Sequence, residues 1–385
     1  MSAPEAIVVG GGLAGLAAAV AVARAGLETL HIAPKGPPDR RTTALMGPSV
    51  EYLRSANLIG DPAEIGHPLT AIRLIDATGR LIRAPEALFQ ASEAGLPAFG
   101  WNFPNVALGA AFEAARAGLP SLTAREATVS SVERIGEGWV LTLGDGSTLT
   151  TPLLVGADGK KSLVRAAAGF RVREHAFAQS ALVADLELGR PISGTSVEFH
   201  YPRGPFTLVP AGGDRANLVW IDDADVLKAA QAGGPEKLRL TFLDKTQRLF
   251  GDIRPLTPAF IFPLSSLSLD KAGMHGAVLV GEAAHAFPPI GAQGLNLGLR
   301  DVADLAASLS SVDRAQPNWA VRVSEDYARR RAADLARTGT LVDTLFRSLL
   351  SDMLPAQALR ATGLWALKLV PPLRRQAFGV GMGAR

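Results

Sequence analysis

The feature that most constrains this chain is a glycine run set between an apolar strand and an apolar helix. Ala6-Ile7-Val8-Val9 is short, uncharged and rich in β-branched residues, the composition of a parallel strand buried on both faces. Gly10-Gly11-Gly12-Leu13-Ala14-Gly15 follows at once, and Leu16 to Arg24 then reads as a helix ended by Gly26. Three of the glycines have mechanical reasons. Gly10 permits the tight turn, Gly12 lets backbone approach a pyrophosphate, and Gly15 lets the helix pack closely on the strand. The helix N-terminus adds unpaired N–H groups and the positive end of its dipole. Strand, loop and helix in this order predict a dinucleotide site.

The same stretch must be weighed as a membrane span, because Ala6 to Ala23 is uncharged for 18 residues. Four glycines packed into Gly10–Gly15 favour a strand, a turn and a helix instead. The start, Met-Ser-Ala-Pro-Glu, lacks the basic region of a signal peptide, and no other run resembles a span, so a cytoplasmic location is expected. A chain of 385 residues exceeds what one core usually serves and predicts two domains sharing an interface. A net charge of only +3 argues against a dedicated nucleic-acid binder. With no cysteine, disulfides, zinc–thiolate sites, iron–sulfur clusters and thiol catalysis are excluded. The histidines His31, His67, His175, His200, His275 and His285 show no pair at metal-ligand spacing, so no metal is expected. No Gly-x-Ser-x-Gly elbow is present.

The second strand, Thr29-Leu30-His31-Ile32, leads to Ala33, where the dinucleotide fingerprint places a carboxylate for the adenosine ribose. Pro34 and Lys35 follow, and Glu28 belongs to the strand's beginning, where it reads as a surface residue. A charge-assisted hydrogen bond of this kind is worth about 1.5–3 kcal/mol, a loss that a ligand with many other contacts can absorb.

Two further segments repeat the strand–turn–helix pattern. Leu153-Leu154-Val155 runs into Gly156-Ala157-Asp158-Gly159-Lys160-Lys161-Ser162, with Ser162 placed to cap a helix and Arg165 one turn on. Read alone, this is equally a plain turn built on Asp-Gly. Ala277-Val278-Leu279-Val280 leads into Gly281-Glu282-Ala283-Ala284-His285-Ala286-Phe287-Pro288-Pro289, read as an extended, proline-stiffened segment. Ile290-Gly291-Ala292-Gln293-Gly294-Leu295-Asn296 then opens a helix continuing through Ala303 and Leu305, again an anion site. Against a flavin, that dipole end stabilises negative charge on the pyrimidine side of the reduced ring.

In this order and at these separations the segments resemble the class A flavoprotein monooxygenases. The nearest likeness is the UbiH/UbiF/VisC family of FAD-dependent ubiquinone-biosynthesis hydroxylases. The family's second signature is matched by Asp39-Arg40-Arg41-Thr42-Thr43-Ala44-Leu45 with Ser49 and Leu53. Gly204-Pro205-Phe206-Thr207-Leu208-Val209-Pro210 with Trp220 resembles its substrate-domain segment, and Leu359–Leu364 with Pro371-Pro372-Leu373 its C-terminal end. The resemblance implies that Gly10, Gly12 and Gly15 cradle the FAD pyrophosphate and that Arg41 pairs with an FAD phosphate. It implies that Asp158 and Gly159 serve both FAD and reduced nicotinamide. Glu282 would hold the ribitol or ribose region, with Pro288 and the backbone of Gly291, Gly294, Leu295 and Asn296 around the isoalloxazine. Three positions depart from the family pattern: Ala33 replaces the ribose acid, Glu282 replaces aspartate, and Gly291-Ala292 stands where Ala-Gly is usual.

The fold class implied is α/β: a Rossmann-like FAD-binding domain with an inserted β-rich substrate domain and a C-terminal helical segment. The expected boundaries are 1–170 and 266–325 for the FAD-binding domain, 171–265 for the substrate domain, and 326–385 for the helices. A three-strand excursion is expected around Ala127–Thr150, turning at Asp145-Gly146, and Ala181 to Leu188 alternates as a sheet strand. The implied reaction is hydroxylation of a polyprenylated phenolic precursor of ubiquinone by dioxygen through a 4a-hydroperoxyflavin, with NAD(P)H or a protein as reductant. No side chain is singled out as catalytic. His285 is expected to orient the flavin loop by hydrogen bonding, and His200-Tyr201 to face the ring pocket or a sheet surface. Leu364–Val370 with Arg360, Lys368, Arg374 and Arg375 can lie on an anionic membrane or pack on the FAD domain, which allows peripheral membrane contact or membership of a quinone-biosynthesis complex. The competing readings are a soluble phenolic monooxygenase or isoprenoid reductase on the same fold, and a catalytically silent accessory subunit. The five tryptophans are isolated, which disfavours a halogenase.

Overall fold

Three segments distant in sequence converge on one parallel sheet. The structure, a computed structural model, describes residues 3–79, 84–289 and 292–350, the last thirteen as backbone alone. Strand β1 (Ala6–Val9) pairs in parallel with Leu153–Gly156 on one side and with β2 (Thr29–Ala33) on the other. Ala277–Leu279 adds in parallel beyond Leu153–Gly156, and Leu122–Glu126 beyond β2. β1 is buried along its whole length, as its uninterrupted apolar run requires. Helix α1 (Leu13–Arg24) covers the sheet with Ala17, Ala18, Ala19 and Val20 and packs on the helix Gln293–Ser311. The apolar run Ala6–Ala23 is therefore strand, turn and buried helix. Among the described residues no helix is long and apolar enough to cross a membrane.

Glycine sets the tightness of this unit. Gly10 has φ +129°, and a Cβ there would lie 2.1 Å from the Ala157 carbonyl oxygen. A Cβ on Gly15 would lie 2.0 Å from the Gly10 carbonyl oxygen, so helix and loop meet backbone to backbone.

Val129–Ile135, Gly138–Leu143 and Thr148–Thr151 form a three-stranded antiparallel sheet. The Asp145 carboxylate accepts the Ser147 N–H at 2.9 Å and closes the turn ahead of Gly146. Buried Trp139 donates Nε1–H to the His275 carbonyl at 3.0 Å, which anchors the excursion to the returning chain.

A larger sheet centres on Val172–Leu188, flanked by Arg215–Asp223 and then Gly204–Pro210 and Thr195–Tyr201. It departs from the boundaries expected from sequence. Ala71–Asp76 and Ala87–Gln90, within residues 1–170, are strands of this sheet, and Phe260–Leu269 carries it past residue 265. Ala71–Asp76 joins Thr195–Tyr201 in parallel, a pairing between remote segments that local alternation does not reveal. One face of the sheet packs Phe199, Phe206 and Trp220 against Phe242 of the helix Gly234–Lys245. Separately, Asn102 donates Nδ2–H to the Pro210 carbonyl (3.0 Å) and to Asn217 Oδ1 (2.8 Å), and Asn217 passes a bond of 2.6 Å to Asp185. This polar chain ties the strand Gly100–Pro104, and through it β3 (Thr42–Met46), to the large sheet.

The final described helix, Trp319–Leu350, begins before the expected boundary at 326. Residues 351–385, which include Leu359–Leu364, Arg360, Leu364–Val370, Lys368, Pro371–Leu373, Arg374 and Arg375, lie outside the described residues.

Candidate functional site

Every parallel strand of the first sheet runs the same way, so its loops open at one edge, the side where open α/β sheets take ligands. Gly11 and Gly12 are exposed at that edge. A Cβ on Gly12 would meet no atom within 4 Å, and no side chain caps α1. The loop is thus rigid where Gly10 and Gly15 lock it and open where Gly12 faces outward. Those free amides fit a pyrophosphate. Beneath the loop, buried His31 places Nε2 2.9 Å from the Gly10 carbonyl oxygen. Burial lowers its pKa, so the neutral ring donates that bond.

Asp158 follows the Leu153–Gly156 strand. Its Oδ2 accepts the Leu163 and Val164 N–H groups at 2.7 and 3.2 Å, while its Oδ1 is buried with no protein partner. An orphaned buried carboxylate oxygen fits a ligand hydroxyl. Gly159 has φ +78° and open space at its Cβ position. Ser162 caps the next helix by accepting the Arg165 N–H at 2.9 Å. Arg165 is itself buried and donates to the Ala283 carbonyl at 3.0 Å, joining this turn to the third loop.

Arg41 forms a bidentate pair with Asp39, both bonds 2.8 Å, and Asn105 donates to the same carboxylate at 2.9 Å. Burial, the largest single influence on Asp39, raises its pKa. The hydrogen bonds from Arg41 and Asn105 together outweigh it and hold the group at about 2. The bond to Asp39 raises the Arg41 pKa, and Glu282, exposed on the third loop, adds to that at longer range. Arg41 remains mostly exposed and keeps its charge for an anion.

The third loop differs from the extended segment expected. Gly281–Ala283 is a turn of 3-10 helix; Gly281 has φ +60°, and a Cβ there would stand 2.9 Å from the Ala14 Cβ of α1. Pro288 is buried; Ile290 and Gly291 lie outside the described residues. Ala292 is left-handed, φ +54° and ψ 36°, directly before Gln293–Ser311, whose N-terminus has no side-chain cap. That is the position where the family pattern carries glycine, and the alanine accepts a conformation costing about 1–2 kcal/mol. Gly294 is exposed with open space beside it, Leu295 is half-buried, and Asn296 is buried. Asn296 Oδ1 accepts the Met46 N–H, and its Nδ2 donates to the Ala44 and Ala292 carbonyls at 2.9 and 2.6 Å.

Behind this loop lies a buried charge network that sequence reading missed. His285 Nε2 is 2.6 Å from Asp301 Oδ2, which also accepts the Gly281 N–H at 2.9 Å. Asp301 Oδ1 pairs with fully buried Arg331 at 2.7 Å. Arg331 also meets Asp304 and Asp334 at 2.9 and 2.6 Å. His285 therefore holds the loop to the helix behind it, as the expected orienting role requires. His200 bonds Glu198 at 2.6 Å on its own strand. Tyr201 donates to the Lys245 carbonyl at 2.7 Å, which directs it at the covering helix. Asn105, Asp301 and Arg331 carry no local motif; only spacing within a known helix hints at Asp301 and Asp304 sharing a face.

Comparison with known proteins adds to this geometry. Residues 104–337 match the family model for an FAD binding domain, and residues 5–58 match that of glucose inhibited division protein A. The ubiquinone hydroxylase UbiL of Rhodospirillum rubrum is 31% identical over 393 residues, covering 98% of this chain and 89% of the relative. The 3-demethoxyubiquinol 3-hydroxylase of Escherichia coli is 28% identical over 391 residues, covering 98% of each. The crystal structure of p-nitrophenol 4-monooxygenase PnpA from Pseudomonas putida superposes with a TM-score of 0.82 at 18% identity, covering 100% of this chain and 99% of that one, which is a likeness of fold.

Proposed function

The chain belongs to the UbiH/UbiF/VisC family of FAD-dependent hydroxylases, and from that membership we propose that it hydroxylates a polyprenylated phenolic precursor of ubiquinone. One observation carries the reading most directly. Gly10 and Gly15 are closed by backbone contacts, whereas Gly12 faces open space at an uncapped helix N-terminus. That is the shape a dinucleotide pyrophosphate needs.

FAD, when bound, supplies the oxygen-activating chemistry. The chain's residues supply position and charge. Gly10, Gly12 and Gly15 shape the pyrophosphate loop, and Arg41, steadied by Asp39, offers a cation to a phosphate. Asp158 offers its unpaired Oδ1 to a hydroxyl, and Glu282 offers a second carboxylate near Arg41. Gly294, Leu295 and Asn296 open the Gln293–Ser311 helix, whose positive dipole end favours negative charge on a reduced ring. Buried Pro288 stands ahead of that helix, on the same loop as Glu282. The Asn102–Asn217–Asp185 chain fixes the large sheet against the FAD-side strands and so limits where a substrate ring can lie.

NAD(P)H is the reductant in this proposal, supported by the resemblance of Asp158-Gly159 to the motif serving both nucleotides. Peripheral contact with an anionic membrane, suited to a polyprenylated substrate, is supported by the composition of Leu364–Val370 with its basic neighbours. The test is reconstitution with FAD followed by NADH or NADPH oxidation in the presence of a short-chain polyprenyl phenol. Oxidation stimulated by the phenol supports the proposal. Protein that takes up FAD but oxidises nicotinamide at the same rate with and without phenol contradicts it.

A further inference from the structure

We infer that Glu126 binds the adenosine ribose of FAD, in place of the carboxylate that position 33 lacks. This rests on the proposed FAD site. A Cβ on Gly11 would stand 2.9 Å from the Ala33 Cβ, so residue 33 points at the glycine loop. His31, two residues earlier on the same face, reaches the Gly10 carbonyl.

Leu122–Glu126 lies beside β2 in parallel, and its register pairs Ala33 with Glu126. The Ala127 N–H donates to the Ala33 carbonyl at 3.1 Å, which holds the two strand ends level. Register partners direct their side chains to the same face of a sheet, roughly 4.8 Å apart. Glu126 therefore leaves the carboxyl edge at the same height and on the same side as the usual ribose acid, one strand over. Its two methylenes can carry the carboxylate back across that spacing. Alanine at position 33 leaves the path clear.

The carboxylate is also available. Glu126 is exposed and makes no hydrogen bond or ion pair among the described residues. Its neighbour Arg125 is engaged elsewhere, by Asp145 and the Ser147 hydroxyl at 2.8 Å each. The other nearby acid, Glu28, sits at the opposite end of β2, where its carbonyl accepts the Glu5 and Ala6 N–H groups. A carboxylate accepts two hydrogen bonds, and a ribose diol donates two, so Glu126 matches the group it would hold.

The test titrates full-length apoprotein with FAD and follows flavin fluorescence. Glu126→Gln is expected to raise the Kd for FAD by about tenfold to a hundredfold, the factor matching one charge-assisted hydrogen bond. An FAD analogue lacking both adenosine ribose hydroxyls should bind wild type and E126Q alike. Ala33→Glu added to E126Q should recover most of the lost affinity. Equal FAD affinity in wild type and E126Q overturns the assignment while leaving the FAD site standing, as does equal weakening for FAD and the analogue. Wild-type protein that takes up no FAD overturns the underlying proposal.

Discussion

Asn296 and Met46, separated by 250 residues, are joined by a hydrogen bond of 2.9 Å from the Met46 N–H to the Asn296 side-chain oxygen. The same side chain donates to the Ala44 carbonyl, so one buried amide clamps β3, which carries the second signature, to the start of the flavin-loop helix. Asn296→Ala strands a backbone donor and acceptor. It should cost about 1–3 kcal/mol in urea unfolding and weaken FAD binding together. An unchanged unfolding midpoint would show that the clamp carries no energy.

The glycines separate folding from binding. Gly10→Ala or Gly15→Ala forces a Cβ to within about 2 Å of a carbonyl oxygen, so both should lose thermal stability and FAD. Gly12→Ala meets no protein atom within 4 Å and should melt like wild type while its FAD affinity falls. Comparing melting temperature with FAD titration across the three variants checks this. A Gly12→Ala protein that binds FAD normally would remove Gly12 from the pyrophosphate site.

Ala292 predicts a gain rather than a loss. Its left-handed backbone suits glycine, so Ala292→Gly should relieve strain and stabilise the fold by about 1 kcal/mol, read as a raised urea midpoint. A lower midpoint would mean that glycine's freedom in the unfolded chain outweighs the strain.

His31 gives the site a pH dependence. Burial lowers its pKa from 6.5, so the folded protein keeps the ring neutral where the unfolded chain protonates. Between the folded-state pKa and 6.5 the unfolded state binds more protons, and stability therefore rises with pH in that window. The contribution is complete above 6.5 and is lost as pH drops through the folded-state value. His31→Gln retains a donor without a titration. Melting curves from about pH 7.5 to pH 5 should fall more steeply for wild type than for this variant, and parallel curves would contradict the role.

The strand–loop–helix of residues 6–24 is legible in sequence because glycine spacing and a buried apolar run are local signals. The Asp145-Gly146 turn and the Ser162 cap are legible for the same reason, since each is a bond within three residues. The sheet that Ala71–Asp76 shares with Thr195–Tyr201 is not, because parallel pairing joins remote segments without a local mark. Asn105, Asp301 and Arg331 escape for a related reason. Each is an ordinary polar residue in a helix until the fold buries it beside a partner. Gly281–Ala283 reads as extended from its proline-rich sequel, yet it forms a turn of 3-10 helix packed close to Ala14, a long-range contact with no local mark.

The most direct test of the hydroxylase assignment is incorporation of isotopically labelled dioxygen by FAD-reconstituted protein supplied with NAD(P)H and a polyprenyl phenol. Mass spectrometry should find one labelled oxygen atom on the aromatic ring of the product. Substrate returned without labelled oxygen, from protein shown to hold FAD and to oxidise the nicotinamide, would contradict the assignment.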